Sequence, residues 1–212
     1  MRIIGNDPST PRQAQIVASG TLSTGDTVVV NSDGTVSPAE SNFSNSVVFE
    51  SADITGVGSA YDTNTNKIVV AYKDGGNSGY GTAVVGTVSG ASISFGTPVV
   101  FESASSGNIS AVFDSSNNKI VISYTDVGNG YYLTAIVGTV SGNGITLGTA
   151  AVFQSFATTY TATTFDSTQK VVVVTFSDGE GSSGKGAALR LIVSGTTVSG
   201  GDKTNYTSVA SY

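Results

Sequence analysis

One stretch of this chain is written three times. The sequence AYDTNTNKIVVAYKDGGN, residues 60–77, returns as VFDSSNNKIVISYTDVGN at 112–129 and more weakly as TFDSTQKVVVVTFSDGEG at 164–181. A step of 52 residues also separates the aromatic residues Phe49, Phe101 and Phe153. A period of this length indicates a supersecondary unit that buries its apolar surface against neighbouring copies of itself.

Each repeat predicts four antiparallel strands, and the first repeat shows the pattern best. Its strands are expected at residues 54–62, 67–74, 80–90 and 92–103, with a bend in the fourth at 96–98. Clusters of Asn, Asp and Gly separate the apolar runs and are typical of hairpin turns. The second strand, KIVVAYKD, is nearly continuous in apolar residues, which predicts that both of its faces are covered. Four such strands in about 50 residues match one blade of a β-propeller.

The sequence therefore predicts an all-β fold of three repeats, at residues 47–98, 99–151 and 152–212. Propellers typically close with four to eight blades, and an open array leaves strand edges exposed. Two arrangements solve this problem. Two chains could close a ring of six blades, or the three sheets could pack as a triangular prism.

The N-terminal part, residues 1–40, does not follow the repeat, and residues 41–46 form a linker to residues 47–212. A strand is expected at 14–20 and a hairpin around the turn at 31–34. A module of this size is too small to be stable alone. We therefore expect it to pack on the repeat domain, on its copies in other chains or on a larger assembly.

Composition and charge narrow the range of partners. The net charge is −6 and the pI about 4.4, with nine Lys and Arg in all, so we expect no nucleic-acid partner. The chain has no Cys and no apolar run that approaches the about 20 residues of a membrane span. Its first 15 residues lack the apolar centre of a signal peptide, which predicts synthesis in a cytoplasm and no membrane partner.

Two sets of aspartates recur with the period, one ending the first strand of each repeat and one ending the second. Either set favours turns, because aspartate bonds the backbone amides that follow it. Calcium binding through carboxylates is the alternative, although the spacing is not that of a known calcium loop. Lys67 and Lys119 keep the period while Lys170 falls one residue short, which predicts a shorter turn in the third repeat. The two sets are Asp62, Asp114 and Asp166, and Asp74, Asp126 and Asp178.

The sequence predicts that the chain is not an enzyme and carries no cofactor or catalytic residue. It has no His, so neither a Ser-His-Asp triad nor an imidazole base can form. Glu50 and Glu102 occupy equivalent places in two repeats, where the third has Gln154, which makes them poor candidates for an acid/base pair. Arginine is also too scarce for the arginine cluster of sialidase-like hydrolases.

The aromatic residues allow two interpretations. Those that recur inside strands, such as Tyr61, are expected in the core, where Tyr61→Ala would cost about 3–5 kcal/mol. Others lie at strand starts or in loops and are candidates for stacking against glycans, with packing across strands as the alternative. These candidate glycan contacts are Tyr80, Tyr131, Tyr132 and Tyr160.

Two stretches carry a resemblance to a known class of proteins. ASGTLSTGDTVVVNSDGTVS, residues 18–37, resembles the opening module of bacteriophage virion proteins such as head fibres, decoration proteins and some tail fibres. NKIVVAYKDGGNSGYGTAVVGTVSG together with SFGTPVVFES resembles propeller-like repeats of phage fibre proteins. The resemblance implies a structural role on a tailed-phage virion, as a capsid decoration protein or head fibre.

The same resemblance implies partners. Residues 1–40 would bind other virion proteins, the chain would associate with itself as a dimer or trimer, and host surface glycans are a further candidate partner. Alternative functions are a tail fibre that binds a receptor and a glycan-binding propeller lectin. No binding or catalytic position is fixed in these families, so the resemblance assigns no site residue.

Overall fold

The computed structural model describes residues 16–25, 27–38, 46–90, 92–179, 184–201 and 204–205. The chain divides into two compact units, Met1–Ser44 and Asn45–Tyr212. All strands described pair antiparallel, apart from one isolated parallel bridge, and none of the sheets closes into a barrel. The described residues contain no helix that is long and apolar enough to cross a membrane. The prediction of an all-β chain is confirmed at this level.

The N-terminal unit contains a short hairpin of β1 (Val28–Val30) and β2 (Val36–Pro38). Its turn is closed by two backbone bonds: the Gly34 amide donates to the Asn31 carbonyl at 3.0 Å, and the Asn31 amide donates to the Thr35 carbonyl at 2.8 Å. Gly34 has a φ of 80°, a conformation that glycine adopts without steric cost. The predicted hairpin around residues 31–34 is therefore confirmed.

The strand expected at residues 14–20 is not formed across the described part of that stretch. Only Ala18 makes a bridge, parallel, to Val36. The Val36 amide donates to the Val17 carbonyl at 2.9 Å, and the Ser19 amide donates to the Val36 carbonyl at 2.8 Å. Residues 14–15 lie outside the described residues. The apolar residues of AQIVASG predicted a strand, but in the described part only Ala18 forms a β-bridge with the hairpin.

The second unit begins with a four-stranded first sheet. Its strands are β3 (Ile54–Asp62), β4 (Lys67–Asp74) and β5 (Tyr80–Ser89), followed by a fourth position. That position is shared by β6 (Ser92–Phe95), on the second half of β5, and by the start of β7 (Val99–Asp114), on the first half of β5. The chain leaves the sheet between β6 and β7, at the predicted bend. The central strand β4 is covered on both faces, as predicted.

The long strand β7 joins the first sheet to the second. Its second half pairs with β8 and so becomes the first strand of the second sheet. That sheet continues with β8 (Lys119–Asp126), β9 (Tyr132–Ser141), β10 (Gly144–Leu147) and β11 (Ala151–Val152). The third sheet contains β12 (Thr158–Asp166), β13 (Val171–Asp178), β14 (Lys185–Ser194), β15 (Thr197–Gly200) and β16 (Thr204–Asn205).

The strand register repeats with the sequence period. In the first and third sheets, the first strand starts opposite the aspartate that ends the second strand. Ile54 faces Asp74, and Thr158 faces Asp178. Each first strand also carries a β-bulge shortly after its start, between Thr55 and Gly58 in the first sheet. The equivalent bulges lie between Gly107 and Ser110 and between Thr159 and Ala162.

The register overturns the expected shortening of the third turn. Asp166 faces Val171 across that turn, just as Asp62 faces Lys67 in the first sheet. Val171 is thus the counterpart of Lys67. Lys170 lies within the turn with a φ of 56°, where the other sheets place Asn66 and Asn118 at 55° and 53°. Lys170 was wrongly aligned with Lys67 and Lys119, because it directly precedes Val171, the true counterpart of these lysines.

The core lies between neighbouring sheets rather than inside any one of them. One cluster joins Val69 and Val85 of the first sheet to Ile122 and Tyr124 of the second. A second cluster joins Val121 of the second sheet to the third. The third-sheet members of that cluster include Val172, Val174, Phe176 and Leu191. Alternate residues of each central strand therefore pack on opposite neighbours, which explains the continuous apolar runs.

The two ends of the row of sheets differ from its interior. On the outer face of the first sheet, Phe49 and Phe95 lie in contact at 5.3 Å between ring centroids and cover Val70, Tyr72 and Val84. On the outer face of the third sheet, the pair Val173 and Arg190 occupies the register position that Val69 and Val85 hold in the first. Arg190 and the nearby Thr175 are exposed. This outer face is mixed, because the partly buried Val173 and the 45% exposed Ile192 also lie on it.

The core assignment of Tyr61 is wrong. Its side chain is 54% exposed, and its hydroxyl donates to the Asn66 side-chain oxygen at 3.0 Å. Phe113 and Phe165, at the same position in the other sheets, are half-buried. Phe113 and Phe165 pack against the clusters between sheets, whereas Tyr61 belongs to the first sheet, whose outer face has no neighbouring sheet. The large truncation cost expected for a core Tyr61 therefore does not apply.

Candidate functional site

The recurring aspartates are turn residues in this structure. Asp62 Oδ1 accepts the backbone amides of Asn64 and Thr65 at 2.8 and 3.1 Å. Asp74 Oδ1 accepts the amide of Asn77 at 3.1 Å, which caps a short 3-10 turn over Gly75–Asn77. The second and third sheets repeat the first pattern at Asp114 and Asp166, and Asp126 repeats the cap over Val127–Asn129.

Calcium binding gains no support from this arrangement. Within the ranges that the structure describes, no group of three acidic side chains lies close enough to hold a metal ion. The carboxylate oxygens named above already accept backbone amides, and this is the bond that stabilises an Asx turn. The structural interpretation of these aspartates accounts for their recurrence.

A buried tyrosine faces a glutamate in each of the first two sheets. The Tyr124 hydroxyl donates to Glu102 Oε2 at 3.0 Å, and the Tyr72 hydroxyl donates to Glu50 Oε2 at 3.4 Å. The other oxygen of Glu102 accepts the Ala104 amide at 3.0 Å. The same bond links Glu50 to Ala52 at 2.9 Å. The sequence analysis identified these glutamates but missed their partners.

Both phenols resist ionisation. Burial, together with the charges of Glu50 and Asp74 and the hydrogen bond to Glu50, raises the pKa of Tyr72 to about 12. Burial also raises the pKa of Tyr124, together with the charge of Glu102 and the hydrogen bond to it. In the third sheet Phe176 and Gln154 replace the pair, so the hydroxyl and the carboxylate are lost together. This paired change is the sequence signal that could have revealed the contact.

Two shallow grooves lie at the junction of the first and second sheets. One, of about 600 Å³, runs between residues 95–99 and 143–145. The other, of about 450 Å³, is lined by the ends of the two first strands, including Tyr61 and Phe113. The lining of both grooves is free of carboxylates and of cationic side chains. Neither groove gathers groups suited to acid–base chemistry.

The four candidate glycan contacts fall into two classes. Tyr80 and Tyr132 open β5 and β9, opposite Asp74 and Asp126, and are half-buried. Tyr132 packs close to Gly130, where an added Cβ would meet its ring at 3.0 Å. These two residues lie in different sheets at equivalent places and form part of the strand packing.

Tyr131 and Tyr160 are different, because both side chains are largely exposed. Tyr131 is 51% and Tyr160 81% exposed. The Thr158 amide and hydroxyl both donate to the Tyr131 carbonyl, at 2.9 and 3.2 Å. Tyr160 follows Thr158 by two residues on β12. These bonds join the Tyr131 backbone to β12 two residues before Tyr160, so both residues lie at the junction of the second and third sheets.

Phe156 lies in the connection that leads into β12 and was missed by the sequence analysis. It is 44% exposed and lies two residues before Thr158. The sequence feature that could have identified it is its aromatic side chain in the connection between the second and third repeats. The connection between the first and second repeats has Ala104 at this position. The group of Tyr131, Phe156 and Tyr160 is called the aromatic patch below.

Comparison with known proteins gives no relative for this chain. No family model, no curated protein and no solved structure matches it significantly.

Proposed function

We propose that the chain is a structural protein on the surface of a tailed-phage virion, as a capsid decoration protein or head fibre. In this proposal residues 1–40 attach the chain to the particle and residues 47–212 form the exposed head. The sequence resemblance supplies the class of protein. The surface of the N-terminal unit is the observation that carries the attachment role.

That surface exposes apolar side chains and one edge of the strand β1. Val28, Val29 and Val30 of β1 are all exposed, although successive residues of a strand point to opposite faces. Val36 is the buried apolar residue of the described part of this unit. Within the described residues β1 pairs on one side only, with β2. An exposed apolar edge strand favours pairing with another chain, so this hairpin is suited to docking.

The arrangement of the three sheets supports a propeller-like head. Neighbouring sheets pack face to face, and their first strands run side by side. The Thr163 amide of β12, for example, donates to the Ser110 hydroxyl of β7 at 3.0 Å. Among the described strands, β3 packs on β7 and β7 on β12, with no comparable packing of the first sheet on the third. These contacts favour a fan of three blades over a triangular prism.

The two ends of the row differ. Phe49 and Phe95 cover one end, and the other carries the polar Arg190 and Thr175 beside the apolar Val173 and Ile192. Self-association as a dimer or trimer is proposed to involve the exposed apolar hairpin of the N-terminal unit.

Mass spectrometry of density-purified particles, from a culture that carries the gene, tests the proposal. Peptides of this chain in a fixed ratio to the major capsid protein are the expected result. Immunogold labelling then separates a head location from a tail fibre. If the chain stays in the soluble fraction and is absent from particles, the virion assignment fails.

A second experiment tests the attachment role. Deletion of residues 1–40 should leave the β-sheet signal and cooperative melting of the repeats intact while abolishing incorporation into particles. Substituting Val28, Val29 and Val30 by Thr should act in the same direction, because it keeps β propensity and removes apolar surface. Val88→Thr, at an exposed valine of the repeats, is the matched control. Undiminished incorporation of the deleted chain would contradict the anchor assignment.

A further inference from the structure

The aromatic patch contains two residues with unusual backbone conformations. Tyr131 has a φ of 63° and Tyr160 a φ of 55°. Such left-handed conformations are sterically unfavourable for a bulky side chain and are most often occupied by Gly, Asn or Asp. Unfavourable conformations of this kind persist where the surrounding structure holds them, and they are concentrated at functional sites.

The same positions in the rest of the molecule use residues for which this conformation is easy. Tyr131 corresponds to Gly79, whose φ is 75°. Tyr160 corresponds to Gly56 in the first sheet and to Asn108 in the second, with φ values of 57° and 45°. Both junctions also contain the same hydrogen bond between sheets. The Ser106 amide donates to the Gly79 carbonyl at 3.0 Å, and the Thr158 amide donates to the Tyr131 carbonyl at 2.9 Å. Tyrosine is therefore not required by the backbone at either position.

Packing does not account for the tyrosines. A buried ring could offset an unfavourable φ through the apolar area it removes from water. Tyr160, however, is the most exposed of the large apolar and aromatic side chains in the described structure, at 81%. Half of Tyr131 is also open to solvent. The chain retains two aromatic rings where smaller residues would fold more easily.

The chemistry of the patch fits a small, uncharged, flat ligand. Aromatic rings present apolar faces, and the phenol hydroxyls add hydrogen-bonding groups at the edge. The nearest recurring carboxylates, Asp126 and Asp178, are buried. Tyr160 lies at the β-bulge of β12, between Thr159 and Ala162. A pyranose has one C–H face that can lie on such a ring and hydroxyls that can reach the phenols.

The size of the patch argues against a protein partner. A stable protein–protein interface buries about 800 Å² on each partner. A whole aromatic side chain contributes about 150–250 Å². Three partly exposed side chains therefore provide well under the required area. They suffice for one or two sugar rings.

We propose that Tyr131, Phe156 and Tyr160 form a carbohydrate-binding site for neutral glycans at the junction of the second and third sheets. This site does not depend on the particle to which the chain is attached. The first junction, with Gly79, Ala104 and Asn108 in the same positions, has no such site.

An array of immobilised neutral and acidic oligosaccharides, probed with the labelled full-length chain, tests the proposal. Binding to a subset of the neutral oligosaccharides is the expected result. Since the chain has no Trp, the tyrosine fluorescence of the full-length chain can then give the affinity for the oligosaccharide that binds best. Absence of binding across the array, or binding to acidic oligosaccharides alone, would overturn the proposal.

The double variant Tyr131→Gly, Tyr160→Asn places the residues of the first junction at the second. We expect it to reduce affinity for the selected oligosaccharide at least tenfold, with a melting temperature equal to or above that of the parent chain. Tyr61→Ala, which removes an exposed tyrosine elsewhere, should leave binding unchanged. Unchanged affinity in the double variant, or a clear loss of melting temperature, would show that the two rings serve the fold instead.

Discussion

The first two sheets and the third sheet share one strand pattern but differ in their polar pairs. Tyr72 and Tyr124 each bond a glutamate, whereas the third sheet has Phe176 and Gln154 at those positions. Lys119 Nζ donates to the Thr139 hydroxyl at 2.9 Å, and the third sheet has an apolar pair, Val171 and Ile192, in its place. The same strand pattern therefore accommodates both kinds of pair, and in the third sheet both members of each pair differ from those of the first two sheets.

Alkaline pH should have the largest effect on stability, and it should act through the buried tyrosines of the first two sheets. The pKa of Tyr72 is raised from 10.0 to about 12, and burial raises that of Tyr124 as well. Below pH 10 both phenols keep their protons in the folded and the unfolded chain. Above pH 10 the unfolded chain ionises first, so the free energy of unfolding should fall between pH 10 and 12. Urea titrations from pH 8 to 12 measure this loss.

The matched variant for the pH experiment carries Tyr72→Phe and Tyr124→Phe. We expect a flatter dependence of unfolding free energy on pH above 10, because both hydroxyls are gone. Phe176→Leu is the control, since the third sheet has no hydroxyl at this position and its variant should lose stability equally at every pH. An equally steep loss in the double Phe variant would contradict the assignment of the alkaline transition to this pair.

The glycines at the junctions between sheets should also be sensitive to substitution. A Cβ added to Gly96 would lie 1.8 Å from the Asn143 carbonyl oxygen, and one added to Gly148 would lie 1.8 Å from the Thr196 carbonyl oxygen. Because these neighbours are backbone atoms, Gly96→Ala and Gly148→Ala should each destabilise by about 1–3 kcal/mol. Gly107→Ala, with open space around its Cβ, is the control. Chemical denaturation that ranks the three variants equally would refute this reading of the junctions.

A double-mutant cycle measures how strongly a pair is coupled. Tyr124→Phe alone should cost roughly 1.5–3 kcal/mol, because it removes a hydrogen bond to a carboxylate that stays half-buried. Adding Glu102→Gln recreates the combination of the third sheet. The double variant should then be more stable than the sum of the single effects predicts, by roughly 0.5–3 kcal/mol. Strict additivity would mean that the two residues changed independently.

The lysine–threonine pair should have the smallest effect. Lys119→Val with Thr139→Ile introduces the apolar pair of the third sheet. It should stabilise by about 0.2–1 kcal/mol, because β-branched residues pack well across strands and no flexible lysine is ordered. The same exchange at Lys67 and Thr87 should gain less, since Lys67 Nζ also donates to Asn143 at 3.3 Å. Thermal melts that show a loss for the exchange at Lys119 would contradict this expectation.

The sequence determined the local structure of the repeats. Strand bounds such as Ile54–Asp62 and Lys67–Asp74, the bend at residues 96–98 and the turn roles of the aspartates follow from apolar runs and turn residues. Such features depend on contacts within a few residues, which the sequence displays directly. The turn position of Lys170 was misread because one-residue alignment of a degenerate repeat is ambiguous without strand register.

Only the tertiary structure decided which aromatic residues are covered and which meet. Tyr61 and Tyr72 both lie in strands of the first sheet, yet one is half exposed and the other fully buried, because the cover comes from a distant segment that contains Phe49. Tyr131 and Tyr160 are 29 residues apart in sequence, and the bond from Thr158 to Tyr131 brings both to the junction of the second and third sheets. Burial and proximity of this kind depend on how whole sheets pack, and no short stretch of sequence contains that information.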